Sequence, residues 1–124
     1  MVSEFMSKAR ANLDAARLCF ESGLHDASTN RAYYAAFQAA VAALAQRGIK
    51  KSVLGHEWVQ AEFNGKLIKR SKVFPGKFKS YLPDMQAVRD IADYDTNEVS
   101  RRTASNQLHK AVEMVRLVEE DLEK

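Results

Sequence analysis

The stretch Asn30-Arg31-Ala32-Tyr33-Tyr34-Ala35-Ala36-Phe37-Gln38-Ala39-Ala40 decides how the chain folds. Asn30, Tyr33, Phe37, Ala40 and Leu44 step by three and four, so they share one helix face, with Tyr34 and Val41 widening it. Alanines at 35, 36, 39, 40, 42 and 43 carry little bulk, so neighbouring helices can approach from more than one side. Such a helix belongs in the middle of a bundle. Asn30 and Arg31 put an amide and a guanidinium at its head, and a polar group opening an apolar stripe demands a partner.

Working outward, Met6, Ala9, Leu13, Ala16 and Phe20 predict an amphipathic helix from about Ser3 to Ser22, closed by Gly23. The turn Gly23-Leu24-His25 leads to Asp26, whose carboxylate can cap the central helix; that helix runs to Gln46 and stops at Gly48. So short a link makes the two helices antiparallel. After a polar loop from Gly48 to Gly55, Val59, Phe63 and Leu67 mark a third helix opening at His56 and about three turns long. Ser71 to Gly76 reads as loop. Phe78, Tyr81, Leu82, Met85, Val88 and Ala92 mark a fourth helix, with a short lead-in and a regular part that begins at Pro83. Asp93 to Asn97 is turn-rich, and Thr96 or Asn97 can cap the last helix, marked by Ala104, Leu108, Ala111, Val115, Val118 and Leu122. With no internal repeat and no period-two run, the fold class is all-α, an antiparallel four- to five-helix bundle.

The bulk properties agree. A chain of 124 residues makes a single domain, 1–124, able to bury a core without disulfide or metal support. Only 2 prolines and 5 glycines suit a helical protein. Cys19 has no partner for an internal disulfide and, on an apolar helix face, reads as a buried, inert thiol. Neither a leader nor a membrane-length apolar run is visible, so a cytoplasmic location and no membrane partner are expected. The formal charge of +3 is unevenly spread: Lys66, Lys69, Arg70, Lys72, Lys77 and Lys79 fall within fourteen positions, interleaved with Phe74 and Phe78. This segment either faces phosphates or is a solvated loop with two anchoring aromatics.

Arg89 and Asp93 lie four apart and share a helix face. If Asn30 and Arg31 look into the same cleft, two guanidinium groups, an amide and the phenol of Tyr94 meet there, with Tyr33 on the adjoining stripe. Forked guanidinium donors match phosphate oxygens, which points to RNA or a nucleotide. The same groups can equally form a buried polar network that fixes the registry of the two helices. Of the histidines, His25 and His109 read as surface residues, while His56 either caps the third helix or serves in proton transfer. No histidine or cysteine spacing suits a metal, and neither a glycine-rich phosphate loop nor a GxSxG elbow is present, so no metal and no cofactor are expected.

Asp26-Ala27, Asn30-Arg31-Ala32-Tyr33-Tyr34-Ala35-Ala36-Phe37, Gly48, His56, and Arg89 with Ala92-Asp93-Tyr94 together resemble the HEPN domain superfamily, in particular its small stand-alone bacterial and archaeal members. The likeness covers nearly the whole chain, in order and spacing. It implies a helical bundle of four to five helices, a homodimer, and pairing with a minimal nucleotidyltransferase in a toxin–antitoxin-like system. It also implies metal-independent ribonuclease chemistry, in which an Arg and a His four to six residues beyond it line a cleft at the dimer interface. The Arg holds the scissile phosphate; the His moves the proton while the ribose 2′-hydroxyl attacks. Arg89 matches, but the positions where the His would fall hold Tyr94, Asp95 and Thr96. An ordinary tyrosine is a poor base at neutral pH.

Three readings follow. The first is a dimeric module binding RNA or a nucleotide-type ligand through Asn30, Arg31, Tyr33 and Asp93 beside Arg89 and Tyr94, working with a nucleotidyltransferase partner. A second is an active endoribonuclease using Arg89 with His56 or Tyr94 as catalytic residues. The third is a structural dimerisation domain.

Overall fold

The computed structural model describes residues 1–124, and five α-helices with no strand account for most of them. Helix α1, Val2–Glu21, buries Met6, Ala9, Leu13 and Ala16 along one stripe. It ends when Leu24 N–H donates to the Cys19 carbonyl at 2.8 Å and Gly23 N–H to that of Phe20 at 3.1 Å. Helix α2, His25–Gln46, ends the same way: Ile49 and Gly48 donate to Leu44 and Ala45, both at 3.0 Å. This paired cap needs a left-handed residue, and Gly23 (φ 78°) and Gly48 (φ 75°) supply it where a side chain would be strained.

The all-α bundle is centred on α2. Its residues Ala32, Ala35, Ala36, Ala39, Ala40, Ala42 and Ala43 are fully buried, and the other four helices, α1 (Val2–Glu21), α3 (His56–Glu62), α4 (Tyr81–Tyr94) and α5 (Arg101–Leu122), all pack on it. Small side chains make this possible: at the α1 crossing, buried Ser28 Oγ reaches the Ala16 carbonyl at 2.8 Å. Asp26 does not cap α2. The helix starts a residue earlier, after Leu24, and the Asp26 carboxylate instead accepts from Val99 N–H at 2.9 Å, tying the α4–α5 connection to the head of α2.

Helix α3, His56–Glu62, is shorter than its apolar spacing suggests, because winding widens into a π-helical segment over Phe63–Arg70. Phe74 N–H then donates to the Leu67 carbonyl at 3.1 Å, and the Phe74 ring stacks on Phe63 with centroids 5.4 Å apart. A 3-10 turn, Gly76–Ser80, leads directly into α4, Tyr81–Tyr94. Pro83 therefore neither kinks the helix nor starts it. It lies in the first turn, where a backbone N–H has no intrahelical acceptor to lose. Asp93 and Tyr94 are the last helical residues rather than part of the turn. Helix α5, Arg101–Leu122, is capped by Ser100, whose Oγ accepts from Thr103 N–H at 3.0 Å; Thr96 and Asn97 play no such part. Asn97 N–H is already committed to Asp95 Oδ1 at 2.9 Å. Arg47 and Asp121 lock the far ends of α2 and α5 by a forked pair, 2.8 Å on each prong. Cys19 is only partly buried, against expectation. No helix is long and apolar enough to cross a membrane.

Candidate functional site

Helices α2 and α4 lie side by side, and their polar residues meet. Asn30 Nδ2 donates to both carboxylate oxygens of Asp93 at 3.2 Å. The amide cannot turn over, because its oxygen accepts from Arg31 Nε at 2.9 Å and Nη2 at 2.5 Å. Arg31 Nη1 donates in turn to Asn12 Oδ1 of α1 at 3.1 Å, and Asn12 Nδ2 to Gln38 Oε1 at 2.7 Å. A chain of four polar side chains thus fixes the group that Asp93 meets.

Arg89 is the buried cation of the cluster, with 11% of its side chain exposed. Its Nη1 donates to the Tyr34 hydroxyl and its Nη2 to Asp90 Oδ1, each at 2.7 Å, and its Nε lies 3.6 Å from Asp93 Oδ2. Burial works against this charge, yet the hydrogen bond to Asp90 and the neighbouring carboxylates hold its pKa above the ordinary arginine value. The guanidinium carbon sits 5.5 Å from the ring centroids of both Tyr33 and Tyr34, and that of Arg31 5.3 Å from Tyr34. Both cations thus lie within cation–π range of the Tyr34 ring.

His56 joins from the head of α3. Its Nδ1 lies 2.7 Å from the Tyr33 hydroxyl, which also accepts from Gln60 Nε2 at 3.3 Å. Gln60 bridges on to Gln86 Oε1 of α4 at 2.7 Å. Burial pushes the Tyr33 phenol up to about 12, so it keeps its proton. Burial, then the charge of Arg89, pushes His56 below its ordinary value, which favours a neutral ring. Since the Tyr33 oxygen accepts from Gln60, its own proton goes to His56 Nδ1, and this network assigns the imidazole proton to Nε2. The His56 ring packs 4.9 Å from Phe37 and 6.2 Å from Tyr34, beside the same aromatic pair that Arg89 faces.

Asn30, Arg31, Tyr33, His56, Arg89 and Asp93 are thus brought into one continuous cluster. Tyr94 is not: it is 81% exposed, has no side-chain hydrogen bond, and shares an outer face of α4 with Ile91, itself 53% exposed. Sequence reasoning missed Asn12, Tyr34 as a hydrogen-bond partner, Asp90, Gln60 and Gln86. Gln60 stands four positions after His56, so helical spacing alone could have flagged it. Asp90, next to Arg89 in sequence, gave no such signal, because neighbours one apart do not usually face each other on a helix. Beside the cluster an open hollow of about 480 Å³ is bordered by Cys19, Asp26, Asn30, Arg31, Ala92 and Asp93. No group of three or more His, Cys, Asp or Glu side chains is placed to hold a metal ion.

A family model described as HEPN domain matches residues 2–121. The chain belongs to the HEPN domain family. No curated protein matches it. For a HEPN domain the placement of Arg89 is instructive, because Nη1 and Nη2 donate to Tyr34 and Asp90 while Nε, 3.6 Å from Asp93, is buried without a hydrogen-bond partner. Helix α4 ends at Tyr94, so Asp95 and Thr96 leave the helix that carries Arg89. The histidine nearest the arginine's aromatic partners comes from α3 instead.

Proposed function

We propose that this HEPN module binds RNA or a nucleotide-type ligand in the cleft between α2 and α4, without cutting it, as a homodimer paired with a nucleotidyltransferase-family protein in a toxin–antitoxin-like system. The observation that carries this reading is the Asn30–Asp93 contact, which joins the amide-and-guanidinium end of α2 to the Arg/Asp end of α4. Arg31 is the cation of the site that no carboxylate neutralises, and although Nε, Nη1 and Nη2 each donate to an amide oxygen, each terminal nitrogen keeps a second N–H. It borders the open hollow and stacks on Tyr34. Its forked donors suit phosphate oxygens, and the Tyr34 ring suits a base or ribose face. Arg89, neutralised by two carboxylates, orients Tyr34 and Asp93 more than it attracts a ligand.

RNA affinity measured against salt tests this reading. A falling affinity in wild type, weakened about tenfold by Arg31→Ala, supports phosphate contacts; a flat dependence removes them. Ala87, Ile91 and Tyr94 form an exposed stripe on α4 that suits a second copy, and light scattering that returns the 14.0 kDa monomer at micromolar concentration contradicts the dimer. A nucleotidyltransferase encoded beside this chain and retained by it on co-purification supports the partner; a chain that retains none argues against it.

A second reading, the metal-independent endoribonuclease, is favoured by the placement of His56 beside Arg89's aromatic pair. In that reaction the 2′-oxygen bonds to phosphorus as the bond to the 5′-oxygen breaks; one proton leaves the 2′-hydroxyl and one reaches the leaving 5′-oxygen. The second transfer needs His56 as the imidazolium, the form that burial and the charge of Arg89 disfavour. Incubation of purified protein with RNA in EDTA decides: no cleavage, or cleavage untouched by Arg89→Ala and His56→Ala, ends this reading.

A further inference from the structure

The positive charge that the cleft lacks lies elsewhere. Between Lys66 and Lys79 the sequence holds six basic residues and no acidic one, whereas outside it the other 13 basic residues are outnumbered by all 16 acidic ones. The net positive charge of the protein is owed entirely to this segment. In the structure it forms an elbow, the C-terminal half of the π-helical segment followed by a loop and the 3-10 turn. Lys66 and Lys77 are matched by Glu62 and Glu113, each at 2.9 Å. Lys69, Arg70, Lys72 and Lys79 are exposed and pair with no carboxylate.

Ordinary surface lysines float, but the backbone that carries these is fixed. Phe74 and Phe78 are 2% and 5% exposed, and Ser71 Oγ holds the Lys66 carbonyl at 2.7 Å. Lys72 takes a left-handed conformation at φ 52°, uncommon for a lysine. Two of the four cations, Lys69 and Arg70, are favourably placed at a helix C-terminus, which accounts for them structurally. Lys72 has no such account, and for Lys79 the end of the short 3-10 turn is offset by its place immediately before the N-cap of α4, where positive charge is unfavourable. Its ammonium is also crowded by that of Lys69, which lowers its pKa.

We propose that this elbow is a docking surface for the phosphate backbone of RNA, with Lys69, Arg70, Lys72 and Lys79 as its contacts. The proposal deepens the cleft reading and rests on it for the identity of the ligand. Lys79 stands two residues before α4, and the first residue of that helix precedes Arg89 by eight, about 12 Å along its axis, so one short strand can lie on the elbow and reach toward the cleft.

The test is fluorescence anisotropy with a labelled twelve-nucleotide oligouridylate across a salt series. Compared are wild type, Arg31→Ala, and a combined Lys69→Gln, Arg70→Gln, Lys72→Asn, Lys79→Gln variant, asparagine being chosen because it tolerates the left-handed backbone. The combined variant is expected to bind about 10- to 100-fold more weakly at 0.1 M salt, with a salt slope shallower by about 3, at roughly 0.7 per phosphate contact on a single strand. Circular dichroism and thermal midpoint check that it folds; the single Lys79→Gln variant, expected to lower the slope by about 0.7, stands in if it does not. Unchanged affinity and slope in these variants overturn the elbow and leave the cleft reading standing. Normal binding by Arg31→Ala alongside loss in the combined variant overturns the cleft and supports the elbow. A wild type that binds no oligonucleotide overturns both, and one that prefers phosphatidylserine vesicles or polyglutamate overturns RNA as the occupant.

Discussion

The cleft and the elbow handle charge in opposite ways. In the cleft, Arg89 has Asp90 at 2.7 Å and Asp93 at 3.6 Å, two tyrosine ring centroids at 5.5 Å, and little exposure to solvent. In the elbow, four cations face water with no carboxylate beside them, held out by two buried phenylalanines. A self-compensated cluster fixes geometry and exerts little pull at a distance; an uncompensated one attracts over about a Debye length and fixes little. Division of labour follows, with the elbow gathering a polyanion and the cleft recognising what it brings.

Arg89→Ala should break the contrast most severely. It leaves the part-exposed Asp90 and Asp93 without their shared cation and the Tyr34 hydroxyl unpaired, so a loss of about 2–3 kcal/mol is expected in urea unfolding. A loss under 1 kcal/mol would mean that the cluster is not held by its charges. Tyr33→Phe comes next, at about 1–2 kcal/mol, because His56 Nδ1 and Gln60 both lose the hydroxyl. Nitrogen chemical shifts of the imidazole report the same event: in wild type Nδ1 accepts and Nε2 carries the proton, and a ring protonated on Nδ1 contradicts the assignment.

The pH dependence gives a smaller effect with a definite sign. His56 titrates below its ordinary 6.5 in the folded chain, so below that pH the unfolded chain takes up a proton that the folded one resists. Its contribution is whole above pH 6.5 and is lost as pH falls through the folded value. The urea midpoint of wild type should therefore drop between pH 7 and pH 5 more steeply than that of His56→Gln; parallel curves would show that the ring is not so perturbed. The combined elbow variant should change stability least, by less than either of the cluster variants, since exposed, unpaired cations hold little together. A larger loss would make these lysines part of the scaffold and erase the contrast.

Much of this was legible in the sequence, and the exceptions have physical causes. The alanine-rich stripe after Asn30 announced a helix with neighbours on several sides, and such patterning depends only on residue size and spacing. The caps were harder: the Asp26 carboxylate found Val99 across the fold, and α5 begins only at Arg101, so Ser100 caps it and Thr96 and Asn97 lie too far upstream. The π-helical winding was invisible, since Phe63 and Leu67 keep the same separation along the sequence whichever turn closes them. In the site, the meeting of Asn30 with Asp93 could be inferred because an amide that opens an apolar stripe needs a partner. Tyr94 adjoins Asp93 in sequence but lies about 100° further round the helix, which is where the inference from proximity failed.

The wide winding after α3 bears on how such a chain can vary in length. Closing each turn five residues back instead of four stores a surplus position between Phe63 and Leu67. Losing one residue there lets the coil tighten to ordinary pitch, and everything beyond stays in step, Phe74 against its ring and the cations outside. The same deletion early in α5 has no slack to consume. It would turn Val115 and Val118 by about 100° and out of the interior, so indels among related chains should collect at the first place and be purged from the second.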